Sequence, residues 1–305
     1  MNFTSKAYLQ IFFSALPNGE KINYLFQKHV THSLPISDED FIVKLSTVKM
    51  HYDIFYKYKP DSSPENCNYY EFGSGYDLVI PIGISLLGFN NLKCIDIREL
   101  VFPELINDTI RRLSKLQGKV NFEYILPDNI PIVTKSNFKN VLKEYFSIDY
   151  MAPLDARNTR LEMNSIDFML SNATMEHIPQ MHIRPILDEC FRIMKPGGVM
   201  SNAIDYRDHW SFFDKNISCY NYLQYSPAQW NRLNPSIMYQ NRMRHRDYIE
   251  IIKKTGFEIV EEIPDHCGEN EFSQLQKIKL DPHYKNNYTP EELSIKSSMI
   301  VLRKN

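Results

Sequence analysis

The chain has 305 residues, of which 43% are apolar and 13% aromatic, enough to form a sizeable core in one large domain or in a domain with an appendage. Its 35 basic and 37 acidic side chains give a formal net charge of -2 and no long run of one sign, which argues against nucleic acid as a partner. The five scattered cysteines include no Cys-x-x-Cys pair, which argues against a disulfide framework or structural zinc and favours reduced thiols.

Neither of the two long apolar stretches has the features of a secretion signal or a membrane anchor. The stretch at residues 7–16 lacks a small-x-small cleavage site and predicts a short amphipathic helix. The run at residues 78–89 contains Pro81, Gly83 and Gly88 and is too short to span a bilayer. We therefore expect a cytoplasmic protein without a membrane partner.

The N-terminal part of the chain has helical spacing. Phe41, Leu45 and Val48 recur at i, i+4 and i+7, after a serine followed by three acids that is typical of a helix start. A loop rich in proline and serine follows. The pattern predicts an N-terminal helical cap over residues 1–66 and a second domain over residues 67–305.

The most informative segment starts at Tyr70 and reads Tyr-Glu-Phe-Gly-Ser-Gly-Tyr-Asp. A short apolar run ends in Gly73 and Gly75, an apolar helix-like stretch follows, and a second strand-like run ends on Asp96. The order of strand, glycine turn, helix, strand and carboxylate is that of a nucleoside-binding βαβ unit. It predicts where an adenosine cofactor lies.

Strands and helices continue to alternate along the rest of the chain. Strand-like runs lie at residues 146–150, 166–170, 199–204, 257–263 and 298–302, with helices over about 183–194 and from Asp247 onwards. This alternation predicts an α/β fold with a Rossmann-like, seven-stranded, mostly parallel sheet and helices on both faces. Two longer connections, at about residues 99–145 and 206–246, are expected to be insertions.

The glycine turn lacks two features of a phosphate-binding loop. A dinucleotide fingerprint needs a third glycine where this chain has Leu78, and Asp77 puts a carboxylate at the helix N-terminus, where a pyrophosphate would be repelled. A cofactor with an ammonium and a sulfonium group would instead tolerate Glu71 and Asp77. S-adenosylmethionine is such a cofactor, and an NAD-type oxidoreductase is the disfavoured alternative.

Three motifs carry a family resemblance. They are Glu71-Phe72-Gly73-Ser74-Gly75, Met175-Glu176-His177-Ile178 and Phe191-Arg192-Ile193-Met194-Lys195-Pro196-Gly197-Gly198. In order, they are similar to the first motif, the x-E-H-I motif that often follows the fourth strand, and the turn before strand five of the class I S-adenosylmethionine-dependent methyltransferases; Ser165-Ile166-Asp167-Phe168 resembles the fourth-strand motif itself. The resemblance covers residues 69–305 and departs from the family at Asp77, where a third glycine is usual. It implies S-adenosyl-L-methionine as cofactor and S-adenosyl-L-homocysteine as product.

The resemblance also implies the cofactor contacts. Asp96 would hold both ribose hydroxyls, and the pair Asp155-Ala156 would read the adenine ring, although an acid capping a local turn is the alternative for Asp155. The full set of expected cofactor-binding residues is Glu71, Gly73, Ser74, Gly75, Asp77, Asp96, Ile97, Asp155, Ala156 and Asn172.

The catalytic candidates follow the fourth and fifth strands, because ligands of open α/β sheets bind outside the carboxyl ends of the strands. His177 follows the fourth strand, and Asp205, Asp208 and His209 follow the fifth. A hydroxyl acceptor needs a group that takes its proton, and we expect His209 first and His177 second, with packing as the alternative role. Asp205, Asp208 and His209 could instead hold a divalent metal, the weaker interpretation, so we assign no metal.

The aromatic-rich stretch at residues 206–246 is expected to cover a small-molecule pocket, although aromatics packed under a loop are the ordinary explanation. Aromatic faces suit sugar or aryl rings, and guanidinium groups bind carboxylates or phosphates. The candidate substrate residues are Trp210, Tyr239, Arg242 and Arg244.

These patterns predict methyl transfer to a small polar acceptor, most simply a hydroxyl of a sugar or glycan precursor or of a secondary metabolite. A non-catalytic methyltransferase-like binding subunit is the alternative. The sequence leaves a homodimer open.

Overall fold

Three helices precede the sheet in a computed structural model that describes residues 2–305. They are α1 (Phe3–Ser14), α2 (Gly19–His29) and α3 (Asp38–Tyr58). Ser37 caps α3 through its side chain, and Phe41, Leu45 and Val48 are buried against the domain, as their spacing predicts. The N-terminal helical layer of the predicted fold is therefore confirmed.

Within residues 2–305, seven strands form one sheet. They are β1 (Asn68–Phe72), β2 (Asn91–Ile95), β3 (Ile148–Met151), β4 (Ile166–Asn172), β5 (Met194–Asp205), β6 (Glu258–His266) and β7 (Ile295–Arg303). Their order is β3-β2-β1-β4-β5-β7-β6. Strands β1 to β5 pair in parallel, and β7 is antiparallel to both β5 and β6. The predicted seven-stranded, mostly parallel sheet is confirmed.

Helices cover both faces of the sheet. The remaining ones are α4 (Val79–Leu86), α5 (Pro103–Leu116), α6 (Phe138–Phe146), α7 (Gln180–Ile193), α8 (Pro227–Asn231), α9 (His245–Ile252), α10 (Glu269–Lys277), α11 (Pro282–Asn287) and α12 (Pro290–Ser294). Side chains of α3, α4 and α6 share one core with the sheet, and those of α7 and α9 share another. None of the helices within residues 2–305 combines the length and the apolar character needed to cross a bilayer.

Two predicted boundaries are wrong. Phe146 ends α6, and Ser147 adopts the left-handed region at φ 55°, so β3 starts only at Ile148. Helix α9 begins at His245 instead of at Asp247, because the Asp247 carboxylate accepts the amide of Arg244 at 2.7 Å and caps the helix from its third position. Neither change alters the strand order.

Helix α3 ties the N-terminal layer to three places in the domain. Lys44 Nζ contacts the carboxylate of Asp77 at 2.7 Å and 2.9 Å, just after the glycine turn. Val48 packs so closely on α4 that a Cβ at Gly83 would lie 2.8 Å from its side chain. His51 Nδ1 lies 2.7 Å from Ser201 Oγ in the middle of β5. The layer is therefore bonded to the sheet and to the loop that follows β1.

The strand order reverses direction between β1 and β4. The chain moves from β1 to β2 and β3 on one side, then crosses to β4 and β5 on the other. In an open α/β sheet, such a switch point leaves a crevice at the carboxyl ends of the two central strands, and ligands bind there. The candidate residues that follow β1, β2, β4 and β5 therefore gather at one edge.

Candidate active site

The turn after β1 has a backbone that requires glycine. Gly73 has φ +77°, and a Cβ built on it would lie 2.2 Å from Cγ2 of Thr174, whose hydroxyl donates to the Gly73 carbonyl at 3.1 Å. Gly75 has φ +78°, and its missing Cβ would face open space. The loop after β4 therefore packs tightly against Gly73. Gly75 instead lines an open hollow, which we call the cradle.

Asp96 lies beside this cradle at the end of β2. It is only 6% exposed, and burial raises its pKa to about 7, although the amides of Ser74 and Gly75 and the Tyr150 hydroxyl favour the charged form. Ser74 Oγ is buried and has no hydrogen-bond partner among the described residues. The loop after β1 therefore holds a hydroxyl without a partner, on Ser74, and lies against a buried acid, Asp96.

Glu71 and Asp77 carry less free charge than the sequence suggests. Glu71 is buried and accepts a hydrogen bond from Tyr69 at 2.8 Å, and burial raises its pKa to about 8, so it is mostly protonated at neutral pH. Asp77 is paired with Lys44 at 2.7 Å. The cation of Lys44 offsets the charge of Asp77 and weakens the expected repulsion of a diphosphate.

The loop after β3 lies against Asp96, because the amide of Leu154 donates to the Asp96 carbonyl at 2.8 Å. Asp155, in this loop, accepts the Arg157 amide at 2.9 Å and pairs with its guanidinium, which lowers the Asp155 pKa against the effect of burial. This arrangement is the local turn that the sequence left open as an alternative. Ile97, which follows Asp96, is 60% exposed and offers an uncovered apolar surface.

Across the crevice, two histidines meet after β4 and β5. The rings of His177 and His209 have centroids 4.9 Å apart. His177 Nδ1 lies 2.7 Å from the carbonyl oxygen of Tyr239, and the His209 amide donates to the Gln240 side chain at 3.1 Å. Residues 239 and 240 thus position both imidazoles.

His209 is held in a crowded environment. Burial, together with neighbouring His177, lowers its pKa to about 3, although the carboxylate of Asp205 lies 3.7 Å from Nε2. Asp205 is itself paired with Arg207 at 2.7 Å, a contact that outweighs burial and lowers the Asp205 pKa. His209 is therefore neutral at physiological pH, and its Nε2 is buried without a partner.

Glu176 is the functional candidate that the sequence analysis missed. It is 1% exposed, its Oε1 accepts the Asp205 amide at 3.3 Å, and its Oε2 has no partner. Burial, and after it the charge of Asp205, raises its pKa well above the usual range. Its position next to His177, in the motif that follows the fourth strand, was the available signal, and only the fold brings it to His209.

Other candidates are engaged elsewhere. Asp208 is fully buried, and its carboxylate accepts the amide of Trp210 and the side chain of Asn221, both at 2.9 Å. The metal alternative of Asp205, Asp208 and His209 therefore loses Asp208, whose oxygens hold the loop that follows β5.

The aromatic stretch mostly forms a third core. Trp210, Tyr220, Tyr222 and Trp230 are buried together with residues of α1 and α10 to α12. Packing in a hydrophobic core, the ordinary explanation for aromatic residues under a loop, therefore accounts for Trp210. Tyr239 is half-buried and contributes its carbonyl to His177.

The two arginine candidates differ in what they hold. Arg244 is 0% exposed, and its guanidinium donates to three carbonyls, of Tyr206, Leu293 and Ile295, and to the Tyr222 hydroxyl. In this arrangement Arg244 fastens main chain and is closed to a substrate. Arg242 is half-buried and donates to the carbonyls of Tyr222 and Tyr225 through one nitrogen, Nη1.

Comparison with known proteins finds a family model that matches part of the chain. Residues 130–201 match the family model of a methyltransferase domain, which runs from before α6 into β5 and includes Asp155, Asn172 and His177. No curated protein shows significant sequence similarity to the chain.

Several solved structures are similar at low identity. Magnesium protoporphyrin IX methyltransferase from Synechocystis PCC 6803 is 9% identical with a TM-score of 0.48, covering 94% of this chain and 99% of that chain. Geranyl diphosphate C-methyltransferase from Streptomyces coelicolor A3(2) is 10% identical with a TM-score of 0.46, covering 85% and 76%. A candidate sarcosine dimethylglycine methyltransferase from Galdieria sulphuraria is 13% identical with a TM-score of 0.46, covering 86% of each chain. These likenesses say nothing about the acceptor.

Residues 130–201 thus resemble a methyltransferase domain, and the crevice at the switch point lies where open α/β sheets bind their ligands. S-adenosylmethionine is the cofactor that the sequence motifs imply. The cofactor fits the residues present: Gly75 leaves open space, Ser74 Oγ lacks a partner, and Asp96 is a buried acid at the end of β2.

Proposed function

We propose that this enzyme methylates a hydroxyl group of a small polar acceptor, such as a sugar or glycan precursor or a secondary metabolite. The observation that carries the proposal is the pair His177 and His209 at the ends of β4 and β5, with His209 Nε2 unpartnered. A hydroxyl must lose its proton on methylation, whereas a thiolate or a neutral amine can attack without a base, so an imidazole pair favours an oxygen nucleophile.

The cofactor half of the crevice would hold and orient the bound adenosine. S-adenosylmethionine supplies a methyl group on a positively charged sulfur. Asp96 would accept the ribose hydroxyls, the backbone at Gly75 would allow close approach, and Ile97 would cover one face of the adenine. Asp155 and Ala156 would lie at the adenine edge, and Glu71, Gly73, Ser74, Asp77 and Asn172 would surround the methionine end.

The acceptor half would remove the proton. The Tyr239 carbonyl favours the His177 tautomer with a proton on Nδ1 and a lone pair on Nε2. His209 would take the proton at Nε2, and Asp205, 3.7 Å away, would stabilise the imidazolium that forms. His177 is the second choice. Asp208 would act only by holding the loop, and Arg242 and Tyr239 are the candidates nearest the acceptor. Positioning of the acceptor can supply several kcal/mol of the rate enhancement.

The N-terminal layer over residues 1–66 and the segment at residues 206–246 would cover the acceptor. In this proposal the partner is a small molecule and the enzyme acts in the cytoplasm, with a homodimer compatible with it. A non-catalytic binding subunit is the second candidate, because the low pKa of His209 weakens it as a base.

A two-stage experiment tests the proposal. S-adenosylhomocysteine and NADH are first titrated against the chain by calorimetry, and we expect only the former to bind. Hydroxylated small molecules are then screened with S-adenosylmethionine for release of S-adenosylhomocysteine. Turnover should fall at least 100-fold in His209→Ala and less in His177→Ala, with unchanged affinity for S-adenosylhomocysteine. Binding of NADH alone, or methylation restricted to amines or thiols, would contradict the proposal.

A further inference from the structure

Three side chains at the acceptor end of the crevice have the chemistry of a metal site. We propose that Glu176, His177 and His209 bind a divalent transition-metal ion of the zinc or iron type. Each residue offers one ligand atom, and these atoms lie within 4.8 Å of one another. The family match and the similar structures do not assign an ion to these residues.

The donor set selects the kind of ion. Two imidazole nitrogens and one carboxylate oxygen suit zinc, iron, cobalt or nickel, whereas magnesium and calcium prefer oxygen ligands alone. Three protein ligands also leave at least one coordination position open towards the crevice.

The tautomers leave the required lone pairs free. The Tyr239 carbonyl, 2.7 Å from His177 Nδ1, can only accept a hydrogen bond, so that nitrogen carries the proton and Nε2 can ligate an ion. Histidine ligands of metals commonly donate their second nitrogen to a carbonyl in this way. His209 Nε2 is buried and unpartnered.

The side chain of Glu176 gives independent support for an ion at this cluster. Its side chain is 1% exposed, and Oε2 has no hydrogen-bond partner although buried polar atoms are nearly always paired. A cation between this oxygen and the two imidazoles would satisfy all three groups at once. Asp205 and Arg207 form a pair at 2.7 Å beside the cluster, so Arg207 adds little net repulsion.

The ion would regulate the site that the proposed function uses. An ion on His209 Nε2 occupies the lone pair that would accept the proton of the substrate, so the loaded enzyme should be slower than the metal-free enzyme. The inference rests on the proposed function for this consequence only, because the affinity for the ion depends on the three side chains whatever the acceptor is.

The test uses the full chain without an affinity tag, after treatment with a chelator. Zn²⁺ is titrated by calorimetry, and Co²⁺ is titrated by visible absorption, which reports nitrogen and oxygen ligation directly. We expect one ion per chain and a melting temperature that rises with ion concentration. Glu176→Gln, which keeps an acceptor for the Asp205 amide, and His209→Asn should each weaken binding at least tenfold. The control His29→Ala changes an exposed histidine at the end of α2 and should bind as the parent does.

Equal binding by the parent and by Glu176→Gln, or no cobalt absorption, would overturn the site. Melting temperatures without metal show whether each variant is folded. Binding of S-adenosylhomocysteine is measured separately. If S-adenosylhomocysteine did not bind, the proposed function would be contradicted, but the metal result would stand. A metal-free enzyme that is inactive and is restored by Zn²⁺ would overturn the regulatory role and the proton transfer to His209.

Discussion

The two ends of the crevice are built in different ways. Most of the proposed cofactor end comes from one stretch, from Glu71 to Ile97, and its turn depends on backbone conformations at two glycines. The acceptor end draws Glu176, His209 and Tyr239 from three separate segments and depends on side chains and carbonyls.

This difference explains why the cofactor end can be recognised from a short sequence motif and the acceptor end cannot. A backbone that must approach a common cofactor needs glycine at set positions, so it leaves a short and recognisable motif. An acceptor pocket needs only that the right groups meet, which many sequences can achieve. Changes at the cofactor end should therefore alter cofactor affinity or the fold of the turn, and changes at the acceptor end should alter turnover, stability or metal binding.

The largest loss of stability is expected at Arg244, which holds together main chain next to the acceptor end. Arg244→Met should lower the free energy of unfolding by about 3–5 kcal/mol, because it removes four buried hydrogen bonds that the guanidinium donates. Chemical denaturation measures this loss. The matched variant Arg246→Met, at a partly exposed arginine, should cost less than about 1 kcal/mol. Similar losses in both would show that Arg244 does not hold the segment together.

The two glycines should separate folding from cofactor binding. Gly73→Ala places a Cβ 2.2 Å from Thr174 and should destabilise the fold by about 2–4 kcal/mol, from the clash together with left-handed strain. Gly75→Ala meets no neighbouring atom, so it should lose only about 1–2 kcal/mol while S-adenosylhomocysteine binding falls at least tenfold. If Gly75→Ala kept full affinity in calorimetry, the cradle would not be the cofactor site.

His51 should make the fold sensitive to acid. Burial lowers its pKa to about 4, below the usual 6.5, so the unfolded chain takes up the proton first as the pH falls. Its contribution is fully present above about pH 6.5 and is lost between there and pH 4, by at most about 3 kcal/mol. Unfolding curves of the parent and of His51→Asn at pH 7 and pH 4.5 measure it. An equal acid response in both would rule out this role.

Asp96 should give cofactor binding a pH dependence. Its pKa of about 7 in the free protein means that the ionised form, which accepts the ribose hydroxyls, is lost as the pH falls. Affinity for S-adenosylhomocysteine should be constant above about pH 8 and should fall by up to about tenfold per unit below pH 7. Asp96→Asn should bind more weakly and without this slope. A flat profile in the parent would mean that Asp96 does not meet the ribose.

The smallest change in cofactor affinity is expected at Ile97. Ile97→Ser removes an apolar side chain that is 60% exposed and should weaken S-adenosylhomocysteine binding by about fivefold, since partial burial of such a side chain is worth about 1 kcal/mol. The melting temperature should not change. The control Ile125→Ser, at a residue 81% exposed in the stretch after α5, should leave the affinity as it is. An equal loss in both variants would remove the adenine contact.

Much of the fold could be predicted because its signals are local. The spacing of Phe41, Leu45 and Val48 and the alternation of strands and helices yield the N-terminal layer and the sheet. The family resemblance then suggested the cofactor residues, which remain predictions for the experiments above.

The rest needed tertiary structure. Lys44 is 33 residues before Asp77, so the cation that neutralises that carboxylate could not be read from the glycine motif. A guanidinium that binds a substrate and one that binds main chain look the same in a sequence, as Arg244 shows. Glu176 and His177 meet His209 only because β4 and β5 are neighbours in the sheet.

The course of α3 has a practical consequence for anyone who wishes to shorten the protein. Cutting before β1 would strip the cation from Asp77, uncover the apolar surface of α4 and leave Ser201 without its imidazole. Such a fragment would be expected to aggregate and to bind nucleoside ligands poorly. Expression designs should keep the whole leading segment.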